Sequence, residues 1–199
     1  MGQPHYPQTN LPISSCPFSD FRHGIFTRHT IPQLTQSLKP GVIRVADSQV
    51  ANRWGNILDF EGFDLITPNE REARFALGDQ DSVVRPLALE LYERAKCKTL
   101  IMKLGERGAI VYRPHTADEP RAFFTLDSFA DKVVDPVGAG DALLAYATLG
   151  YAASKSDTVA AMLGSMAAAV ACEHDGNNPV APDDVLKKLD VIERQVLYA

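Results

Sequence analysis

The sequence predicts an α/β protein in which a mostly parallel sheet is covered by helices on both faces. Three observations lead there. Short β-branched and apolar runs at 42–46, 63–67 and 99–104 alternate with segments of helical spacing, as in Val84, Leu87, Leu91 and Ala95. Helices of ten or more residues between strands are the connections that parallel pairing requires. The chain has 199 residues, 45% apolar and 23% charged, enough for one domain with a proper core.

Taken in order, the first 18 residues carry Pro4, Pro7, Pro12 and Pro17 with little periodicity, and are expected to be irregular or in part an edge strand. The domain proper is expected over 19–199. A helix is predicted over 31–38, with Pro32 in its first turn and Lys39-Pro40-Gly41 ending it. The strand 42–46 runs into Asp47 and the strand 63–67 into Pro68. A short helix over 69–77 closes at Gly78, and a longer one spans 83–96. The strand 99–104 and the run 109–112 flank the turn Gly105-Glu106-Arg107-Gly108, which suggests a hairpin-like pair. Further strands are predicted at 122–125 and 132–134, then helices at 139–152, 156–172 and 182–189. Ligands of such sheets sit outside the carboxyl ends of the strands. Asp47, Thr67, Leu104 and Asp135 are predicted to lie at those ends.

Charge and composition narrow the function classes. A net charge of -5 argues against a nucleic-acid partner. It is compatible with ATP, provided Mg²⁺ and backbone amides neutralise the phosphates locally. The three cysteines, Cys16, Cys97 and Cys172, form no disulfide or zinc pattern, so a cytoplasmic setting is expected. The five histidines have no ligand-like spacing, and are expected to be surface or structural residues. The N-terminus lacks the basic and apolar regions of a signal peptide. The most apolar stretch, 159–172, is too short to span a bilayer and reads as a buried helix.

The segment with most chemistry in it is Val133–Ala152, a predicted strand, a turn containing Gly138 and Gly140, an acid, and a helix of small residues. Glycines at a helix start let the backbone approach a ligand with free N–H groups, which bind anions. Asp141 falls in the first helical turn, where the helix dipole favours its ionised form. A carboxylate beside an anion hole is what phosphoryl transfer to a hydroxyl needs: the base takes the proton while the amides hold the transferring charge. Taken alone, the same segment also reads as an ordinary glycine turn capped by an aspartate.

The stretch DPVGAGD, Asp135–Asp141, resembles the DTxGAGD signature of the ribokinase/PfkB carbohydrate kinases. That resemblance implies Asp141 as catalytic base and Gly138, Ala139 and Gly140 as the anion hole. Pro136 and Val137 depart from the polar residues often found after the first Asp. TPNEREA, Thr67–Ala73, resembles the family's strand-end motif, whose Asn-x-x-Glu core helps place Mg²⁺ and the ATP phosphates. It implies nucleotide contacts from Asn69, Glu70, Arg71 and Glu72, with Asn69 and Glu72 holding Mg²⁺ through water. Alone, this motif is a helix start bearing surface acids. KLGERGAIVY, Lys103–Tyr112, resembles the nucleotide-side hairpin and implies contacts at Lys103, Gly105 and Gly108. The tail 167–182 resembles the helix and loop that close over adenine, with Gly176 in a family-like position. SDFRHGIFT, Ser19–Thr27, and ADSQ, Ala46–Gln49, are similar to the heptose 7-phosphate kinase branch.

The resemblance implies a Rossmann-like three-layer α/β/α sandwich of the ribokinase type, and ATP-dependent phosphorylation of a sugar or sugar-phosphate hydroxyl. A fructokinase- or ribokinase-like activity and a non-catalytic nucleotide-binding remnant stay open as alternatives. Family members run roughly half as long again or more, and their first half supplies early strands, a lid and most sugar contacts. Residues 1–18 cannot encode these, so the N-terminal part and lid are expected to be missing and a strand edge exposed. Either a homodimer or a separate N-terminal half stands open as partner. The chain alone is expected to bind Mg-ATP weakly without turning over a sugar.

Overall fold

The structure, a computed structural model, describes residues 14–49, 56–115 and 121–197. The proline-bearing segment 1–13, with its expected irregular course and His5, lies outside the described residues. The elements in chain order are β1 (Ser15–Asp20), α1 (Thr30–Gln36), β2 (Ile43–Ser48), β3 (Leu65–Ile66), α2 (Glu70–Leu77), α3 (Val84–Ala95), β4 (Thr99–Lys103), β5 (Ala109–Tyr112), β6 (Phe123–Leu126), α4 (Ala139–Ser154), α5 (Asp157–Cys172) and α6 (Pro182–Leu197). The strands form one sheet in sequence order, parallel from β1 to β4 and antiparallel from β4 to β6.

Side chains alternate between two apolar layers, because successive residues of a strand point to opposite faces. Ala46, Ile66, Leu100, Met102 and Tyr112 pack with Leu87 and Leu91 of α3 and with the Phe18, Phe60 and Phe63 rings. Val45, Leu65, Ile101 and Val111 pack on the other face with Leu143, Leu144 and Ala147 of α4 and Ala160 of α5. A strand buried on both faces has no polar side to show, which is why these runs read as continuously apolar. The α4–α5 crossing is close: a Cβ on Gly164 would lie 2.9 Å from the Leu143 carbonyl oxygen.

Strand β1 crosses the boundary drawn between residues 18 and 19. Its bonds to β2 come from the even positions: Ile43 N donates to Ser14 O at 2.9 Å and Gln49 N to Asp20 O at 3.0 Å. The backbone of Ser15, Pro17 and Ser19 therefore faces away from β2. Pro17, which has no N–H, occupies the outward side of the edge strand, where proline disturbs no ladder bond.

The expected strand 132–134 does not form. Val133 and Val134 are exposed, and the N–H groups of Val134 and Asp135 both donate to Cys172 O at the end of α5, at 2.8 and 3.2 Å. β-branched residues favour a strand only where a neighbouring strand and burial support it. Asp135 accordingly ends no strand. Its carboxylate accepts N–H bonds from Val137 at 3.0 Å and Gly176 at 3.2 Å, and so ties the glycine turn to the loop after α5. Helix α6 runs two turns beyond the expected 182–189, to Leu197. Among the described residues, no helix is long and apolar enough to cross a membrane.

Candidate functional site

The carboxyl ends of β2, β3 and β4 meet the N-terminus of α4. Gly138 is the N-cap of α4 in the left-handed region at φ 81°, and a Cβ there would lie 2.2 Å from Asn177 Oδ1. The positive φ favours glycine, and a Cβ would in addition have to displace the Asn177 side chain. Ala142 N closes the first turn onto Gly138 O at 2.9 Å and Ala139 N reaches Pro136 O at 3.3 Å, while the amides of Gly140 and Asp141 have no backbone acceptor among the described residues. Asp141 is exposed, and the Ser19 hydroxyl of β1 donates to its Oδ1 at 3.2 Å.

Against this turn lies a partly buried ion pair. Lys103, the last residue of β4, places Nζ 3.0 Å from both carboxylate oxygens of Asp47 in β2. A Cβ on Gly140 would lie only 3.4 Å from that Nζ and 3.6 Å from Asp47 Oδ2. The backbone of the turn therefore lies directly against the pair, at ordinary van der Waals range from where a Cβ would be.

The Asn-x-x-Glu segment forms a capping box at the start of α2. Glu72 N donates to Asn69 Oδ1 at 2.8 Å, and Asn69 returns its backbone N–H to Glu72 Oε2 at 2.6 Å and its amide to Oε1 at 2.7 Å. Glu72 is not a surface acid but is buried at 7% exposure. Burial pushes its carboxyl up to about 7; Lys103 opposes the rise, Asp47 adds to it, and the Asn69 amide opposes it again.

Two clefts flank the glycine turn and share Lys103, Pro136 and Gly140. One, of about 450 Å³, is polar, with Asp47, Asn69, Arg71, Glu72, Asp141 and Asn177 on its walls. The other, of about 360 Å³, is apolar and lies between the turn bearing Gly105 and Gly108, the loop 127–133, and Ala139, Leu143, Ala168 and Ala169 of α4 and α5. Gly108 presses against that loop so closely that a Cβ would meet Leu126 O at 2.0 Å.

Ten of the residues singled out in the sequence thus come together: Asp141, Gly138, Ala139, Gly140, Asn69, Arg71, Glu72, Lys103, Gly105 and Gly108. Glu70 does not. Arg74, with Arg107 beside it, bonds its carboxylate and holds it below the ordinary range, in a separate surface groove. Gly176 does not reach either cleft, but its neighbour Asn177 does. Ser19 and Asp47 escaped sequence reasoning as site residues. Asp47 had a signal in its place at a strand end, whereas Ser19 had only its membership of the 19–27 segment.

The polar cleft suits a hydrated divalent cation better than a bare one. Among the described residues no group of three or more His, Cys, Asp or Glu is arranged to hold a metal directly. The carboxylates of Asp47 and Glu72 and the amide of Asn69 are hard oxygen donors on one wall, which fits Mg²⁺ retaining most of its waters. The free amides, Lys103 and the apolar cleft beside them fit a nucleotide.

The sequence is similar to those of curated relatives. Bifunctional protein HldE of Pelobacter propionicus is 30% identical over 172 residues, covering 84% of this chain and 33% of the relative. Bifunctional protein HldE of Desulfatibacillum aliphaticivorans is 29% identical over 201 residues, covering 98% of this chain and 38% of the relative. The chain spans about a third of the length of these relatives. Among solved structures, ribokinase from Thermotoga maritima superposes with a TM-score of 0.70 at 21% identity, covering 89% of this chain and 58% of that one. Arabidopsis thaliana ribokinase, solved with ribose and ATP, superposes with a TM-score of 0.71 at 20% identity, covering 88% and 55%. At such identities the likeness establishes the fold, a ribokinase-type α/β fold. Residues 33–184, well over half of the chain, match the family described as pfkB family carbohydrate kinase. The chain belongs to the pfkB family of carbohydrate kinases.

Proposed function

We propose that this chain holds the phosphoryl-transfer site of an ATP-dependent sugar kinase, with Asp141 as the base. One observation carries the reading: Asp141 stands beside two free helix-start amides and the Lys103–Asp47 pair, where a polar and an apolar cleft meet. The apolar cleft, lined by alanines of β5, α4 and α5 with Phe129, Val133 and Leu143, takes the purine. The amides of Gly140 and Asp141, with Lys103, face the phosphates and the charge that develops on the transferring group. In the polar cleft Asp141 accepts the proton of the attacking hydroxyl, and the Ser19 hydroxyl fixes the orientation of its carboxylate. Asp47, Asn69 and Glu72 would hold the waters of Mg²⁺, which when bound would supply neutralisation of phosphate charge.

The acceptor is a sugar or sugar phosphate. The resemblance of Ser19–Thr27 and Ala46–Gln49 favours a heptose phosphate, while Lys103–Tyr112 is equally at home in fructokinase- and ribokinase-like enzymes. A cytoplasmic site of action fits the free thiols of Cys16, Cys97 and Cys172. The exposure of Asp141 favours a second reading, in which the acceptor side is completed by a further segment or a second copy, and the chain alone only binds nucleotide.

Sugar-dependent ADP release over a panel of sugars and sugar phosphates tests the assignment. Asp141→Asn is expected to lower turnover by about 10²-fold or more while nucleotide affinity stays within a few-fold. Turnover near wild type in that variant overturns the base. A chain that binds Mg-ATP yet releases no ADP with any acceptor supports the second reading.

A further inference from the structure

The loop 127–135 forms one wall of the apolar cleft, through Ser128, Phe129, Ala130 and Val133. It has no regular structure of its own, so its position depends on what ties it down. Beside the bond from Gly176 N–H to the Asp135 carboxylate, three ties hold it. The N–H groups of Val134 and Asp135 donate to Cys172 O. The Phe129 ring packs with Met166, Ala167 and Val185, between α5 and α6. The third tie is ionic: Lys188 of α6 reaches Asp131 Oδ2 at 2.9 Å and Glu173 Oε1 at 2.6 Å, and that same Glu173 oxygen accepts the Asp131 N–H at 2.8 Å.

The Lys188 side chain is only 7% exposed, whereas Asp131 is 71% exposed. A buried ammonium with two carboxylates converging on it is costly to leave unpaired, so the two acids are held where the ammonium is. Burial by itself would lower the Lys188 pKa; the hydrogen bonds and charges of Glu173 and Asp131 outweigh it and raise the pKa above its ordinary value. The ammonium therefore stays charged throughout the working pH range. Helix α6 itself contributes no residue to the cleft.

We infer that Lys188 is a positioning residue of the nucleotide site, holding the loop 127–135 in the shape that a purine requires. The inference rests on the reading of the apolar cleft as the purine site. Without the clamp the loop retains Phe129 and the Cys172 carbonyl but samples open arrangements, and a ligand must then select the closed one. Apparent affinity falls by the fraction closed.

The test is calorimetric titration of the whole chain with Mg-ATP, together with amide hydrogen exchange over 127–135. Lys188→Met is expected to weaken Mg-ATP binding about tenfold and to speed exchange in the loop, and Lys188→Arg is expected to recover most of both. A merely structural lysine would instead lower the melting temperature and leave the affinity of the folded protein unchanged. If Lys188→Met fails to fold, Asp131→Asn, at the exposed end of the clamp, is expected to give a smaller loss in the same direction. Binding within twofold of wild type and unchanged loop exchange in both variants overturn the inference. Absence of Mg-ATP binding by the folded wild type overturns the purine-site reading instead, and faster loop exchange in Lys188→Met then still establishes the clamp.

Discussion

The two sides of the glycine turn are built differently. On the apolar side the walls come from β4–β5, α4, α5 and a loop clamped by Lys188, and most of the residues facing the cleft are apolar, with Lys103, Glu106 and Asp127 among them. On the polar side the wall is the end of a sheet whose edge strand, β1, is paired on one flank only among the described residues, and Asp141 looks outward. The difference teaches that a binding site and an acceptor site make different demands. A purine is held by shape, which one set of packed elements supplies, while a hydroxyl must be held in line by groups converging from several directions. On the proposed reading the nucleotide side is walled by packed elements of this chain, and the acceptor side, where Asp141 is exposed, faces outward.

If that contrast is right, buried groups near the turn control stability and exposed ones control only turnover. The largest effect is expected from Glu72. Its carboxyl titrates near 7 in the folded chain and near the ordinary 4.5 when unfolded, so between these pH values the native state keeps a proton that the unfolded state has lost. Stability should then fall as pH rises from 4.5 to 7, by an amount on the order of 3 kcal/mol. Glu72→Gln should flatten that slope in denaturant unfolding measured across the range; an unchanged slope would remove the buried titration from the account.

Gly138 should come next. Gly138→Ala forces a side chain into the left-handed region and onto Asn177, costing about 2 kcal/mol in turn geometry and weakening nucleotide binding by roughly tenfold or more. Affinity equal to wild type would mean the turn does not shape the phosphate site. The smallest effect should follow Ser19→Ala, which removes one exposed hydrogen bond to Asp141 and should lower turnover only a few-fold, with melting temperature and nucleotide affinity unchanged. A shift in the melting temperature would contradict the exposure contrast.

What was legible in the sequence follows the same division. The strands and helices around the core carry their own periodicity, and Asn69 and Glu72 announce a helix start by their spacing, although the burial of Glu72, in one cleft with Asp47 and Lys103, comes only with the fold. The run 132–134 looks like a strand because of Val133 and Val134, and no local signal says that the N–H groups of Val134 and Asp135 are taken by the end of α5. Pairs that are remote in the chain were not legible. Ser19 and Asp141 are 122 positions apart, and Asp131 and Lys188 are 57 apart, so Ser19, Asp131 and Lys188 are unremarkable polar residues until the fold brings their partners. Gly138, by contrast, was found from its context, because a turn at a helix start needs a residue that tolerates positive φ.

The most direct measurement of the central claim, that the donor side is complete within this chain, is calorimetric titration of the folded protein with Mg-ATP in the absence of any sugar. The account expects saturable one-site binding that is weak but measurable, and that is lost when inorganic phosphate or a free sugar replaces the nucleotide. A well-folded sample that gives no binding heat at millimolar Mg-ATP over a range of temperatures would contradict it.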